Sequence, residues 1–307
     1  MSTDPVVRTW APAWPVSIGS TLGAVSRGRG DPAYHRDDDG AVWRTTRTPE
    51  GPATQRLSVV AGVVESQSWG SGAAWLAERV DVLLGADDDV SGFDSSLHPL
   101  VADQWRRRGA GMRTPSTHAV LESLVAAILE QRVTGREARR AWRWLLTTYG
   151  DPAPGPAPEH MRVFPAAAVV ATVPSWEWHR AGVDGGRAAT VQRAASYAGR
   201  LEECVSLSRG AARARMEAIP GIGVWTSAEV AARALGDADA VSYGDVHVAP
   251  NVVYALTGET DGTDERLAEL LEPWPGHRGR VVRLVELTGI SRPARGPRYS
   301  PLDFRDR

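Results

Sequence analysis

Apolar positions along the chain follow two different periods. Over 41–47 and 55–64 they alternate with polar ones, as in Trp43-Arg44-Thr45-Thr46-Arg47 and Arg56-Leu57-Ser58-Val59. Period-two runs of this kind predict strands, and the charged turn 35–40 ahead of them predicts an antiparallel ribbon. From 71 onward the period becomes helical. Ala74, Leu76, Val80, Leu83 and Leu84 share one face of a helix over 71–84, and a shorter helical region covers 94–107. Val120, Leu121, Leu124, Val125, Ile128 and Leu129 then form a broad buried face. That pattern breaks at Gln131-Arg132-Val133-Thr134, where Thr134 can cap a helix over 135–148 and Glu137 completes a capping box. Segment 151–158, DPAPGPAP, is a stiff connector. Helices resume with a start at Pro174-Ser175-Trp176-Glu177-Trp178-His179, a glycine-rich turn over 182–187 and a helix over 188–200. Trp176 and Trp178 are read as core residues and His179 as a structural hydrogen-bonder. The last helices run to 256, to 271 and over 280–288, before a Pro/Arg-rich tail. The fold class is therefore mostly α with an N-terminal α+β lobe over 1–112, a helical domain over 113–290 and a tail over 291–307.

Composition narrows the chemistry. A length of 307 residues allows a substantial core, and the single cysteine, Cys204, excludes intrachain disulfides and four-cysteine metal or iron–sulfur sites. No apolar run approaches the ~18 residues of a membrane span. The N-terminus MSTDPVVRTW lacks the basic and apolar regions of a leader, so a cytoplasmic protein without a membrane partner is expected. Net charge is −2, yet nine arginines lie between 104 and 143 against three glutamates, and eight between 273 and 307 against three acids. These surpluses fit either one basic face, with Asp37-Asp38-Asp39 and Asp87-Asp88-Asp89 turned away, or ordinary solvated helix faces. All thirty-five basic residues are arginine. A Schiff base needs an unprotonated amine, which arginine cannot supply.

The stretch 216–247, MEAIPGIGVWTSAEVAARALGDADAVSYGDVH, concentrates the candidate chemistry. Pro220-Gly221-Ile222-Gly223 forms a tight turn between two helices. Pro220 restricts φ, the glycines allow positive φ, and the bare backbone at a helix start suits a phosphate. Trp225 and Thr226 follow at once, and Asp245 comes twenty-two residues after Gly223, at the start of the next helix. Local sequence alone favours reading Asp245 as a plain N-cap; the alternative is a functional carboxylate kept ionised by backbone N–H groups.

This arrangement resembles the helix-hairpin-helix (HhH-GPD) DNA glycosylase superfamily, and within it the bacterial 3-methyladenine DNA glycosylase II branch, which carries tryptophan where Trp225 stands. The resemblance implies two helical lobes with a cleft between them, a hairpin of Pro220, Gly221, Ile222, Gly223 and Thr226 gripping a DNA phosphate, and Asp245 as the catalytic carboxylate. It implies a base pocket at Trp225, Glu229 and Tyr243. Ala127-Ile128-Leu129-Glu130-Gln131 matches the element that ends in a DNA wedge, here Gln131 and Arg132; an ordinary helix break fits the same residues. The backbone carbonyls of Glu217, Ile219 and Ile222 would hold a sodium or potassium ion, with no cofactor for the chemistry itself. The glycine turn followed by Arg187-Ala188 matches a feature that packs on the hairpin. The implied partner is double-stranded DNA with a damaged base, bound by a monomer. The implied activity is monofunctional excision of alkylated purines of the 3-methyladenine and 7-methylguanine type, leaving an abasic site for base excision repair. The superfamily's strand-cleaving members carry a lysine where Trp225 stands, and its cluster-bearing members need cysteines this chain lacks. Glu229 departs from the family, which can place an aromatic residue there, and the last helix near 284–286 lacks a matching tryptophan. Two other readings stay open: a glycosylase for deaminated or oxidised bases, and a non-catalytic hairpin module that binds DNA.

Overall fold

The computed structural model describes residues 4–293, so the predicted tail lies almost wholly outside the described residues. The N-terminal part contains β1 (Val6–Trp10), α1 (Ile18–Leu22), β2 (Tyr34–Arg36), β3 (Val42–Thr48), β4 (Gly51–Val60) and β5 (Val63–Gly70). These strands form one antiparallel sheet in the order β1-β5-β4-β3-β2. The alternation over 55–64 predicts one strand, but the chain reverses at Ala61 and Gly62, with φ of 49° and 80°. Val59 pairs with Val64 across that turn. Residues 59–64, VVAGVV, are an unbroken apolar run on both sides of the turn, so hydrophobic patterning alone does not mark the reversal. α1, α2 (Ala73–Glu78) and α3 (Val80–Leu83) accompany the sheet, and α1 and α3 close its core of Ile18, Leu22, Val42, Leu57, Val64, Val80, Leu83 and Leu84. The single helix predicted over 71–84 is broken at Arg79 (φ −112°, ψ 17°).

α4 (Pro99–Arg108) precedes the predicted boundary at 112 but does not pack with the sheet. Val101 on α4 and Met112 share a core with Val241, Val252, Leu267, Leu271, Val281 and Leu284. That second helical lobe is otherwise built from α13 (Val248–Thr257), α14 (Asp264–Leu271) and α15 (Arg278–Glu286). The first helical lobe comprises α5 (Val120–Glu130), α6 (Gly135–Tyr149), α7 (Ala167–Thr172), α8 (Ser175–Arg180), α9 (Gly185–Ser196), α10 (Ala198–Glu202), α11 (Arg209–Glu217) and α12 (Val224–Ala234). Within the proline connector, β6 (Asp151–Pro152) pairs with β7 (Arg162–Val163).

α5 is the axis of the first lobe. Nine of its eleven residues are buried, so it is enclosed rather than amphipathic. The Glu202 carboxylate accepts the N–H groups of Val120 and Leu121 at 3.0 and 2.9 Å, satisfying its first turn. Thr134 and Glu137 form the predicted capping box at α6. Asp184 caps α9, which starts at Gly185 and not at 188. Trp178 is fully buried, whereas Trp176 is 56% exposed and is not a core residue.

Asp88 accepts from Arg280 and from the Thr114 N–H at 2.7 Å, with both side chains of the ion pair almost completely buried. The acidic run over 87–89 therefore does not simply face away, and Arg113 and Arg280, counted in the basic surpluses, lie inside the protein. Replacing Asp88 with Asn leaves Arg280 as an uncompensated buried charge. The expected loss is about 3–5 kcal/mol, read from urea unfolding of the two proteins at neutral pH.

Candidate DNA interface and catalytic cleft

The hairpin between α11 and α12 is built from its turn residues. Gly221 has φ +97°, and a Cβ there would stand 2.3 Å from Thr190 Oγ1, so position and packing both demand glycine. Gly223 differs from the expectation of positive φ: it is extended (φ −112°, ψ −175°) and faces open space. It caps α12 without a side chain, so the first N–H groups of that helix are left for an external acceptor. Ile219 and Ile222 anchor the turn in the core.

The hairpin is braced by the preceding elements. Gln131 donates to the Gly221 carbonyl at 3.0 Å and to Thr226 Oγ1 at 2.8 Å, and Arg193 donates to the Pro220 carbonyl at 2.5 Å. Thr226 is 2% exposed. Gln131 and Thr226, expected at the DNA surface, thus bind each other beneath the turn; a short amide in reach of two acceptors is held there. Arg132 is exposed and left-handed at φ 54°, an unusual conformation for arginine. Arg187, buried, ties this helix end in place through the Leu129 and Gly182 carbonyls and Asp184. The Ile219 carbonyl accepts from the Ile222 N–H at 3.0 Å. Among the described residues no backbone N–H is donated to the carbonyls of Glu217 or Ile222.

Asp245 has both oxygens engaged. Oδ2 accepts from the Trp225 indole N–H at 2.9 Å, and Oδ1 accepts from the N–H groups of His247 at 2.7 Å and Val248 at 3.2 Å. Asp264 fixes the loop by accepting from the Gly244 N–H at 2.7 Å. The residue is thus a cap for α13 and a half-buried carboxylate beside the hairpin helix at once.

A cleft of about 610 Å³ opens where α1, α12 and α15 meet, lined by Ser20, Glu229, Arg233, Ser242, Val248 and Arg283 among others. The Glu229 carboxylate accepts from Arg233 at 2.7 Å and from the Ser242 hydroxyl. Burial acts to raise its pKa, but Arg233 and Ser242 together hold it below the usual carboxylate range. Arg233 also donates to the Ala24 carbonyl at 2.8 Å. Arg283 donates to the carbonyls of Ser20 and Thr21, and burial, with Arg233 and Arg280 nearby, pushes its pKa down to about 10. Tyr243 is not in this cleft. It lines a separate groove with Arg213, Asp239 and Arg278, packed against the second lobe, because the turn at Gly244 sends it away from Asp245.

With this geometry in place, known proteins can be compared. A 3-methyladenine DNA glycosylase from Archaeoglobus fulgidus superposes with a TM-score of 0.76 at 16% identity, covering 91% of this chain and 97% of its own. An 8-oxoguanine glycosylase/lyase from Clostridium acetobutylicum, solved with double-stranded DNA, gives 0.71 at 13% identity over 94% and 97%. The fold is that of the helix-hairpin-helix DNA glycosylases. A curated relative from Mycobacterium tuberculosis, named a probable bifunctional transcriptional activator/DNA repair enzyme AlkA, is 29% identical over 228 residues, or 68% of this chain. The chain spans only 42% of that relative's length. No protein-family model matches.

Within this glycosylase fold, the structure brings Trp225, Asp245 and the hairpin together, places Glu229 in the adjoining cleft and sets Tyr243 elsewhere. Arg233, Ser242, Arg283 and Glu286 line the cleft without having been singled out from sequence. A signal existed for Arg233, since Glu229 and Arg233 are spaced i,i+4 on one helix. Substituting Gly221 with Ala forces a left-handed alanine against Thr190. Loss of about 1–3 kcal/mol is expected, measured by thermal or urea unfolding, whereas Gly223→Ala should change stability by well under 1 kcal/mol.

Proposed function

We propose that the protein is a monofunctional DNA glycosylase that flips alkylated purines out of double-stranded DNA and hydrolyses their N-glycosidic bond, leaving an abasic site for base excision repair. The observation that carries this reading is the Asp245 carboxylate, fixed by the Trp225 indole and two backbone N–H groups between the hairpin and the cleft. A purine in a duplex is inaccessible at its sugar bond, so the nucleotide must be extruded and its place filled. The exposed backbone around Gly223 binds a phosphate, with the α12 dipole favouring the anion. Arg132, exposed at the left-handed turn after Gln131, fills the gap and meets the orphaned base. The carbonyls of Glu217, Ile219 and Ile222 would hold a sodium or potassium ion, which would add positive charge on the side of the hairpin.

As the C1′–N bond lengthens, positive charge develops on the sugar, and a fixed anion beside it lowers the barrier. Asp245 has this role. The donors that fix it keep it in place without reorganisation at the moment of reaction. A base already cationic through alkylation needs no proton to leave, and the half-buried Trp225 ring offers it an electron-rich surface. Water then adds to C1′. The absence of lysine supports hydrolysis over Schiff-base strand cleavage.

A second reading is favoured by the charged lining of the cleft, where Glu229 and Arg233 stand instead of aromatic side chains: excision of deaminated or oxidised bases. Incubation with methylated duplex DNA and chromatography of released bases separates the two. Release of 3-methyladenine and 7-methylguanine is expected from the native protein, with about a hundredfold or greater loss for Asp245→Asn, and strands that break only after alkali. Release of 8-oxoguanine alone would favour the second reading. Tight DNA binding with no base released from a lesion panel would contradict both, and strand breakage without alkali would contradict the monofunctional assignment.

A further inference from the structure

One carboxyl in the cleft has no task in the mechanism above. Glu286 ends α15 and opens onto the same cleft as Glu229, Arg233 and Arg283. The two glutamates are held very differently. Glu229 is bound by Arg233 and Ser242. Among the described residues no N–H or O–H is donated to the Glu286 carboxyl, and it makes no ion pair, although two arginines stand beside it. Those arginines are committed elsewhere: Arg233 to Glu229 and the Ala24 carbonyl, Arg283 to the carbonyls of Ser20, Thr21 and Arg113. Val248, on the wall of the cleft, donates its N–H to Asp245, and Asp245 lies near enough to Glu286 to act on its charge.

We propose that Glu286 is a general acid: it protonates a ring nitrogen of a flipped purine as the sugar bond breaks, extending excision to damaged purines that would otherwise leave as anions. This rests on the glycosylase reading above and names a second substrate class for the same site. The proton of the Glu286 carboxyl passes to N7 or N3 of the base. The C1′–N9 bond breaks with its electron pair moving into the ring, and the base departs neutral. Water adds its oxygen to the cationic C1′ beside Asp245 and releases a proton to solvent. Glu286, exposed at the cleft mouth, regains its proton from solvent.

The charges that face Glu286 suit this role. Glu229 and Arg233 approach from α12, Asp245 from the loop before α13, and Arg283 from its own helix. Desolvation of the carboxyl on the cleft side is the largest influence, even though the residue as a whole is exposed at the end of α15, and Glu229 and Asp245 add to it. Against the pull of Arg233 and Arg283, they push its pKa up to about 7. Below that pH the group is a neutral acid; above it, the acid form is lost. An acid whose pKa lies near the working pH is the most effective donor.

The test uses the full chain under single-turnover conditions, with duplexes that differ only in carrying 7-methylguanine or hypoxanthine, across pH about 5.5 to 8.5. The native protein should release both. Hypoxanthine release should fall about tenfold per pH unit above about 7, while 7-methylguanine release stays level. Glu286→Gln, which keeps volume but has no acid proton, should lose about 10²- to 10⁴-fold on hypoxanthine and remain within about threefold on 7-methylguanine, so the second base also reports folding. Equal release of both bases by the variant and the native protein would overturn the proposal, as would equal loss on both, or native release of 7-methylguanine without hypoxanthine. Release of neither base would overturn this proposal together with the reading it rests on. If Asp245→Asn leaves 7-methylguanine release intact, the role of Asp245 fails separately from that of Glu286.

Discussion

The hydrogen bond from the Trp225 indole to Asp245 joins the two halves of the helical body where function is concentrated. Trp225 lies on the first turn of the hairpin helix, packed against the core of the first lobe. Asp245 opens the first helix of the second lobe and caps it through a different oxygen. One carboxylate is therefore held from both sides, and neither lobe can shift without disturbing it. Charge-assisted bonds of this kind are about twice as strong as neutral ones. Their value in the proposed mechanism is geometric: a fixed anion can stabilise a developing cation without having to move.

The rest of the site follows from the need to keep that contact in register. Gly221 lets the hairpin press on Thr190, and Gln131 and Arg193 clamp its carbonyls from below. Arg233 and Arg283 reach from the two helical lobes to carbonyls at α1, drawing the sheet lobe over the cleft. These buried charges contribute little net stability, since desolvation offsets much of their attraction. They do specify how three separately packed cores meet, and they give the cleft a polar, ionisable lining in place of an aromatic one.

Much of this was legible in sequence. The helical runs, the Thr134 capping box, the hairpin and the offset of Asp245 are local patterns, and local patterns survive folding. Four things were not. The hairpin at Ala61-Gly62 hides because the apolar run 59–64 passes through it unbroken. α4 lies in the N-terminal third yet packs on the last helices, a long-range choice made by the burial of Val101 beside Val252 and Val281. The roles of Gln131 and Tyr243 depend on which way a side chain turns at one residue, and spacing does not record that. Glu286 was visible only as a missing tryptophan; what it faces becomes clear when α12 and α15 are side by side.

The central claim is that Asp245 stabilises positive charge at C1′. The most direct measurement is the affinity for a duplex carrying a cationic pyrrolidine in place of one deoxyribose, compared with a neutral tetrahydrofuran at the same position. The account predicts that the cation is bound at least about a hundredfold more tightly, as for a transition-state mimic, and that Asp245→Asn abolishes the difference. Equal affinity of the native protein for the two duplexes, or a preference for the cation that survives the substitution, would contradict it.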